Sequence, residues 1–187
     1  MRHETPKRNL PVHPWDGNGS ELEDPRRRLI GLLPELRGYA RFLARDRAEA
    51  DDLVQDAVVR ALAALPRLSD AAALRPWLFT ILRNTFYEQA RRRRTERSVL
   101  SRQVTGSAAA TPGQHGSLDL ADLQRDLFRL PPRLREALVL VGAQGLSYEE
   151  AAVICGVPEG TMKARVSRAR ARLIDLMAAA PAADLST

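Results

Sequence analysis

Residues 146–176 read LSYEEAAVICGVPEGTMKARVSRARARLIDL, and this stretch decides more about the chain than any other. The pattern predicts two short helices around a tight turn, and in the second helix the apolar residues recur at helical spacing. That apolar stripe consists of Met162, Val166, Ala169 and Leu173. The rest of the helix carries cations and a hydroxyl: Lys163, Arg165, Ser167, Arg168, Arg170 and Arg172. Such a helix is typical of the element that a helix-turn-helix places in the DNA major groove.

The residues around this turn mark the ends of both helices. Ser147 and Glu150 have the spacing of a capping box, which begins a helix. Gly156 is a C-cap glycine, and Pro158 opens the last helix. Basic amphipathic helices also lie on membranes and bind calmodulin. The capped helix and the glycine turn before this one favour DNA binding.

A second basic feature lies at residues 91–94, which are four consecutive arginines. The helix macrodipole accounts for one or two cations at a helix C-terminus, not for four. The preceding residues interleave aromatic side chains with polar ones, a pattern that suits single-stranded nucleic acid. These residues are Trp77, Phe79, Thr80, Arg83, Asn84, Phe86 and Tyr87. The simpler alternative puts most of the aromatics in the core, and we expect Trp77 and Phe86 there and Arg83 and Asn84 exposed.

An acidic feature precedes the arginines. Between residues 50 and 65 the apolar residues follow helical spacing without a miss, and the acidic side chains lie off that stripe. They are Glu49, Asp51, Asp52 and Asp56, together with Gln55. Complementarity to the helix dipole explains part of this placement. An acidic face on a basic protein is better suited to a positively charged protein surface than to DNA.

Along the chain, these features predict an all-α protein with two small helical domains. Residues 25–97 form a helical bundle and residues 118–178 the helix-turn-helix domain, joined by a flexible linker at residues 98–117. Residues 1–24, with Trp15, and residues 179–187 are expected to be disordered or frayed tails. Pro34 falls inside the first helix and predicts a kink or a later start.

Composition limits the classes of function. The 187 residues suffice for one domain or two small ones, and 28% of them are charged against 5% aromatic. A net charge of +6 and a pI near 10.3 indicate an acidic partner such as nucleic acid. The single cysteine, Cys155, rules out an internal disulfide, and we expect it to be a buried core residue.

Several classes are excluded on the same grounds. The sequence shows no nucleophile paired with a base, no phosphate-binding glycine loop and no metal-ligand spacing, so we expect neither enzymatic activity nor a cofactor. No apolar run reaches membrane-spanning length, and the N-terminus lacks the apolar core of a signal peptide. We therefore expect a cytoplasmic protein with no membrane contact and no small-molecule substrate.

Three segments together resemble bacterial sigma factors of the extracytoplasmic-function (ECF) type. Residues 50–62, ADDLVQDAVVRAL, are similar to the helix with which that family binds core RNA polymerase. Residues 74–94, LRPWLFTILRNTFYEQARRRR, resemble the segment that opens and reads the −10 promoter element. Residues 130–173 resemble the domain that reads the −35 element. The stretches LFTILRNT, VGAQGLSYEEAA and SRARARL are most similar to the alphaproteobacterial general-stress-response group.

The resemblance implies promoter-specific initiation with core RNA polymerase, and it assigns residues to three surfaces. The clamp helices of the largest polymerase subunit would bind Asp52, Gln55 and Asp56. Promoter DNA at the −10 element would contact Ser69, Asp70, Arg83, Asn84, Arg91 and Arg92, with a flipped base held near the first two. The −35 element would contact Thr161, Lys163, Arg165, Ser167, Arg168 and Arg172. Of these, we expect Lys163 and Ser167 at base edges and the arginines at phosphates.

The chain departs from the family pattern at two positions. Many members have Asp where Glu88 stands and Arg where Lys163 stands. Lysine is a point donor and not a planar fork, so the −35 bases that this chain prefers are left open.

The resemblance also implies control by an anti-sigma factor, which covers the polymerase-binding or DNA-binding faces, in a stress response. Two other functions remain as alternatives. A stand-alone repressor or activator would use the last helix but not the acidic helix or the arginine run. A sigma-mimicking protein that only binds an anti-sigma factor would not need cations on both DNA faces.

Overall fold

The computed structural model describes residues 24–44, 46–100 and 118–178, with side chains described for 24–44, 46–96 and 122–178. Within these ranges the chain is helical, as expected, and its helices run in the order that the sequence predicts. They are α1 (Pro25–Leu43), α2 (Arg47–Ala64), α3 (Leu74–Leu100), α4 (Leu118–Arg129), α5 (Pro132–Leu138), α6 (Tyr148–Cys155) and α7 (Glu159–Ala178). Residues 1–23 and 179–187 of the expected tails and residues 101–117 of the expected linker lie outside the described residues, and these ranges include Trp15 and the three histidines.

Helices α1, α2 and α3 form the N-terminal half. Asp24 and Asp46 cap the first two helices, since their carboxylates accept hydrogen bonds from the N–H groups of Arg26 and Glu49. Helix α1 passes through Pro34 without ending, and its buried residues line one side along its whole length. Helix α2 ends in a short 3₁₀ turn at Pro66, because a proline cannot continue the hydrogen bonds of an α-helix.

The C-terminal half consists of α4 to α7. Ser147 and Glu150 form the predicted capping box, with side-chain-to-backbone hydrogen bonds of 3.1 and 2.8 Å. Gly156 ends α6 in the left-handed conformation at φ 65°, which a glycine adopts without steric cost. Between α5 and α6, residues 139–143 form a π-helical turn that the sequence analysis did not predict. Such turns are frequent at functional positions.

The two halves pack against each other in the described structure. Helix α3 contacts α6, and α1 contacts α5 and the π-helical turn, so that a single cluster of buried apolar side chains extends through both halves. Gly38 of α1 lies close to the C-terminal half: a β-carbon at this position would lie 3.4 Å from Nε2 of Gln144. The sequence predicted two domains but not this contact between them.

The stripe of α7 faces inward as predicted: Met162 and Val166 belong to this core, and Ala169 and Leu173 pack in a second, smaller cluster with Leu127 and Leu130 of the C-terminal half. Met162, Val166 and Ala169 are buried, and Leu173 is partly buried. Cys155 is buried, which confirms that it is a core residue. In the part of the chain that the structure describes, no helix has the length and hydropathy to cross a membrane.

Candidate nucleic-acid and protein interfaces

The acidic residues of α2 line an open groove against the C-terminal part of α3. The groove encloses about 590 Å³ and is formed by Asp46, Ala48, Glu49, Asp52, Gln55, Asp56, Gln89, Arg92, Arg93 and Glu96. Asp52, Gln55 and Asp56, the residues expected to bind polymerase, are all exposed in it. The structure therefore brings this predicted set together and adds a basic wall from α3, including Arg92 of the predicted −10 set.

Polar contacts join the two walls of the groove. Asp56 accepts a 2.7 Å hydrogen bond from Nε2 of Gln89, and Arg93 forms an ion pair with Glu49. Asp56 and Arg93 are exposed, while Glu49 and Gln89 are partly buried, and ion pairs at the surface contribute little free energy. A stronger cationic partner can therefore replace these contacts at small cost.

The arginine run of α3 lies at the surface. Arg91 and Arg92 are exposed, as their predicted contact with DNA phosphates requires. Glu88, one turn earlier, accepts a 2.6 Å hydrogen bond from Arg60 of α2. That hydrogen bond lowers the pKa of Glu88, and the nearby charge of Arg60 acts in the same direction.

The loop before α3 holds the next two predicted residues, Ser69 and Asp70, and both are exposed. One carboxylate oxygen of Asp70 accepts a 2.8 Å hydrogen bond from the N–H of Ala72. This is the pattern of an Asx turn, which shapes the entry into α3. Asp70 thus has a structural role beside any contact with DNA, while the hydroxyl of Ser69 lies at the exposed tip.

Arg83 and Asn84 differ in their surroundings. Asn84 is exposed as expected, but the expectation that Arg83 is exposed was wrong. Nε of Arg83 donates a 2.7 Å hydrogen bond to Glu136 of α5, and the guanidinium lies over the ring of Tyr87 at 4.7 Å. The error arose because the partner lies in the other half of the chain.

The aromatic residues of α3 differ in burial. Trp77 and Phe86 are only partly buried against the core, whereas Phe79 is fully buried.

Glu136 is the centre of a polar cluster that the sequence analysis missed. Its side chain is 1% exposed, and it accepts hydrogen bonds from Arg83, from the hydroxyl of Tyr39 at 3.1 Å and from the hydroxyl of Tyr87 at 3.2 Å. A buried carboxylate is stable only with such partners. One signal was available: Glu136 lies three and four residues before the buried Val139 and Leu140, hence on an apolar face.

The cluster changes the acid–base properties of its members. Burial raises the pKa of Tyr39 well above its usual value, and the negative charge of Glu136 raises it further. The same two causes raise the pKa of Tyr87. Burial alone would lower the pKa of Arg83, but the charge of Glu136 and the hydrogen bond to it outweigh burial, and the pKa is raised. Both tyrosines therefore stay neutral donors and Arg83 stays charged.

A second contact between the halves lies beside this cluster. Arg75 of α3 donates hydrogen bonds to the carboxylate of Glu35, at 2.7 Å, and to the carbonyl oxygen of Gln144. Gln144 follows the π-helical turn directly, so the turn presents this carbonyl to α3. Helix α3 thus binds both α1 and the C-terminal half through cationic side chains.

The predicted −35 residues all lie on helix α7, and most of them are exposed. Lys163, Ser167, Arg168 and Arg172 are exposed, and Thr161 and Arg165 are partly buried. Nζ of Lys163 lies 2.7 Å from the carboxylate of Glu159 and 5.8 Å from the ring of Tyr148. The hydrogen bond to Glu159 raises the pKa of Lys163. The charged face of α7 is thus exposed to solvent in the same arrangement in which Arg83 is partly buried.

Comparison with known proteins gives matches in both halves. The family profile described as Sigma-70 region 2 matches residues 31–96, and the one described as Sigma-70, region 4 matches residues 121–173. The ECF RNA polymerase sigma factor EcfG of Rhodopseudomonas palustris is 42% identical over 149 residues, which cover 80% of this chain and 82% of that protein.

Solved structures give the same result. The sigma factor RpoE from Bartonella quintana, in complex with the anti-sigma factor NepR, is 44% identical with a TM-score of 0.72. That match covers 84% of this chain and 99% of RpoE. CnrH, in complex with the cytosolic domain of CnrY, is 29% identical with a TM-score of 0.63, covering 83% of this chain and 88% of CnrH.

Proposed function

Because this chain belongs to the extracytoplasmic-function family of RNA polymerase sigma factors, we propose that it binds core RNA polymerase and directs initiation at promoters with −10 and −35 elements. One observation carries the proposal: an exposed acidic groove and an exposed cationic helix lie on the same chain, in the halves that match regions 2 and 4. A stand-alone DNA-binding regulator would use only the second surface. The activity places the protein in the cytoplasm, with polymerase and DNA.

Each surface has a role in this proposal. The groove that contains Asp52, Gln55 and Asp56 accepts a cationic surface of the largest polymerase subunit. The exposed residues of α3 and of the loop before it contact the −10 strand: Ser69, Asp70, Asn84, Arg91 and Arg92. Helix α7 enters the major groove at the −35 element, with Lys163 and Ser167 at base edges and its arginines at phosphates.

Runoff transcription with purified core polymerase tests the proposal. We expect specific transcripts only when the chain is present, and none with the double variant Asp52→Arg and Asp56→Arg, because two reversed charges repel a cationic partner. The matched control is Glu149→Arg with Asp175→Arg, which changes the charge equally at exposed positions outside the groove. If both double variants bind core polymerase as the wild type does, the acidic groove is not the polymerase surface.

We further propose that an anti-sigma factor controls this chain in a stress response. The support is the similarity to RpoE and CnrH, whose structures contain an anti-sigma factor and the cytosolic domain of CnrY. Purified NepR from B. quintana is a direct probe, given the 44% identity of its partner to this chain. We expect NepR to form a complex with this chain in size-exclusion chromatography and to reduce runoff transcription. No complex at micromolar concentrations would argue against control by this type of inhibitor.

A further inference from the structure

The three donors on Glu136 all belong to the N-terminal half. Tyr39 comes from α1, and Arg83 and Tyr87 come from α3, one helical turn apart. Together they supply one guanidinium and two hydroxyl donors to the two oxygens of a single carboxylate. Glu136 is the only one of the four residues that the C-terminal half contributes. The donors therefore form an anion site on the N-terminal half, and its occupant arrives from the other half.

A DNA phosphate offers the same acceptors as this carboxylate. Both are anions with two oxygens that accept hydrogen bonds, and guanidinium and hydroxyl groups are common donors to either. The site lies on α3, the helix that also carries the exposed Asn84, Arg91 and Arg92. A phosphate cannot reach Arg83 in the described arrangement, because Glu136 fills the site and is itself buried.

The packing of the two halves covers Arg83 on α3 and leaves the cationic face of α7 open. On α7, Lys163, Ser167, Arg168 and Arg172 are exposed. On α3, Arg83 is paired with Glu136, and its side chain is 19% exposed. Packing of the two halves therefore covers one residue of the predicted −10 set, Arg83, and none of these four residues of α7.

We propose that Tyr39, Arg83 and Tyr87 form a binding site for a backbone phosphate of single-stranded promoter DNA, and that Glu136 occupies this site in the closed chain in place of the phosphate. The proposal rests on the proposed function and adds a ligand and a competitor to its −10 surface. Phosphate and Glu136 exclude each other, so only chains in which the two halves have separated can bind single-stranded DNA at this site. The apparent affinity is therefore the intrinsic affinity multiplied by the fraction of open chains.

Binding of a fluorescently labelled, mixed-sequence single-stranded oligodeoxynucleotide to the full chain tests the proposal without polymerase. We expect Glu136→Gln to bind it roughly tenfold more tightly than the wild type, since the variant loses the charge that competes with phosphate. The control Asp175→Asn also removes one negative charge from the C-terminal half, at an exposed position. It measures the gain that comes from net charge alone.

Further variants distinguish binding at the proposed site from effects of net charge and of misfolding. Gly38→Leu is designed to loosen the interface without changing any charge or any residue of the site: a β-carbon there would already lie 3.4 Å from Nε2 of Gln144, and the longer leucine side chain would crowd this contact. We expect it to increase single-stranded DNA affinity as Glu136→Gln does. Adding Arg83→Ala to Glu136→Gln is expected to abolish the gain, whereas Arg37→Ala, at an exposed position of α1, is expected to retain most of it.

The proposal is overturned if Glu136→Gln and Gly38→Leu gain no more affinity than Asp175→Asn, including the case in which none of them binds. It is also overturned if Arg83→Ala costs no more than Arg37→Ala. Failure of the sigma-factor function is a separate result, because runoff transcription reports it. A gain that depends on Arg83 in a chain that does not support transcription would leave the anion site standing and remove its promoter role.

Discussion

Arg83 and Glu136 are joined by a 2.7 Å hydrogen bond between Nε and Oε1, although 53 residues separate them in the sequence. The carboxylate is buried, and the guanidinium is its charged partner. A buried ion pair is costly to break from one side, because the remaining charge is left without compensation. Here the free-energy cost of breaking the pair is smaller if the two halves separate, since separation would return both charged groups to water. The pair therefore contributes directly to the contact between the two halves.

Tyr39→Phe tests the neutral part of this cluster. The substitution removes one hydroxyl donor to Glu136 and keeps the ring that packs against Phe79 at 5.3 Å. We expect the free energy of unfolding to fall by about 1.5–3 kcal/mol, the range for a hydrogen bond to a charged group. Urea denaturation measures the change.

Tyr148→Phe is the matched control, because Tyr148 is partly buried and its ring faces the exposed Lys163. We expect it to change the free energy of unfolding by a few tenths of a kcal/mol at most, as is usual for surface substitutions. Equal effects of the two substitutions would mean that the bond from Tyr39 to Glu136 does not stabilise the chain.

Stability is expected to decline at alkaline pH. Burial raises the pKa of Cys155 from 9.0 to about 12, with a further contribution from Glu136, and the pKa of Tyr39 is raised from 10.0 for the same two reasons. The folded chain therefore holds both protons more tightly than the unfolded chain. The resulting stability is complete well below pH 9.0, where neither group ionises in the unfolded chain, and is lost as pH rises toward the folded pKa values.

Urea midpoints measured across this alkaline range check the prediction. Cys155→Ala is expected to flatten the decline from its beginning, and Tyr39→Phe only in the more alkaline part. The two variants should keep these separate effects after correction for their stability at neutral pH. A decline that is the same in all three proteins would assign the alkaline loss to other groups.

Local features of this structure were predictable, because local spacing encodes them. The stripe of α7 and the capping box of α6 each follow from residues within one or two helical turns, and the structure confirms both. The acidic face of α2 and the exposure of Asn84 follow in the same way. Such patterns depend only on helical geometry and on which residues are apolar enough to be buried.

The cluster around Glu136 was not predictable in this way. Its members lie up to 97 residues apart, and no local period relates Tyr39 to Glu136. The sequence suggested an exposed Arg83 because an arginine among polar residues is usually solvated. The packing of the C-terminal half against α3, which brings Glu136 of α5 to Arg83, reverses that outcome. Placement of the two halves thus decides the surroundings of Arg83, and helix periodicity carries no information about it.

The ion pair between Lys163 and Glu159 gives a prediction about DNA preference. Lys163 is exposed, so exchange of Glu159 for a DNA acceptor costs little. We expect Lys163→Ala to weaken binding to the preferred −35 duplex by roughly 1–3 kcal/mol more than binding to a duplex changed at one −35 base pair. Fluorescence anisotropy at fixed salt measures both. A uniform loss on the two duplexes would place Lys163 at a phosphate.

Glu159→Gln is the companion variant. Removing this carboxylate frees Lys163 and takes a negative charge from the first turn of α7. We therefore expect tighter binding to both duplexes and a steeper dependence of affinity on salt, because one more cation faces the phosphates. Unchanged affinity for both duplexes would show that Glu159 does not compete with DNA for Lys163.

Two glycines of the helix-turn-helix are expected to respond to alanine with opposite signs. Gly156 has φ 65°, a conformation in which a β-carbon is strained, although no atom lies within 4 Å of that carbon's position. Gly156→Ala should therefore lower the free energy of unfolding by about 1–2 kcal/mol through backbone strain alone. Gly160 is the second residue of α7, also with open space around it, and Gly160→Ala should raise the free energy by about 0.5 kcal/mol, the lower end of the range for a helix interior. Urea denaturation of both variants checks the pair, and a shift of the same sign in both would contradict the left-handed turn between α6 and α7.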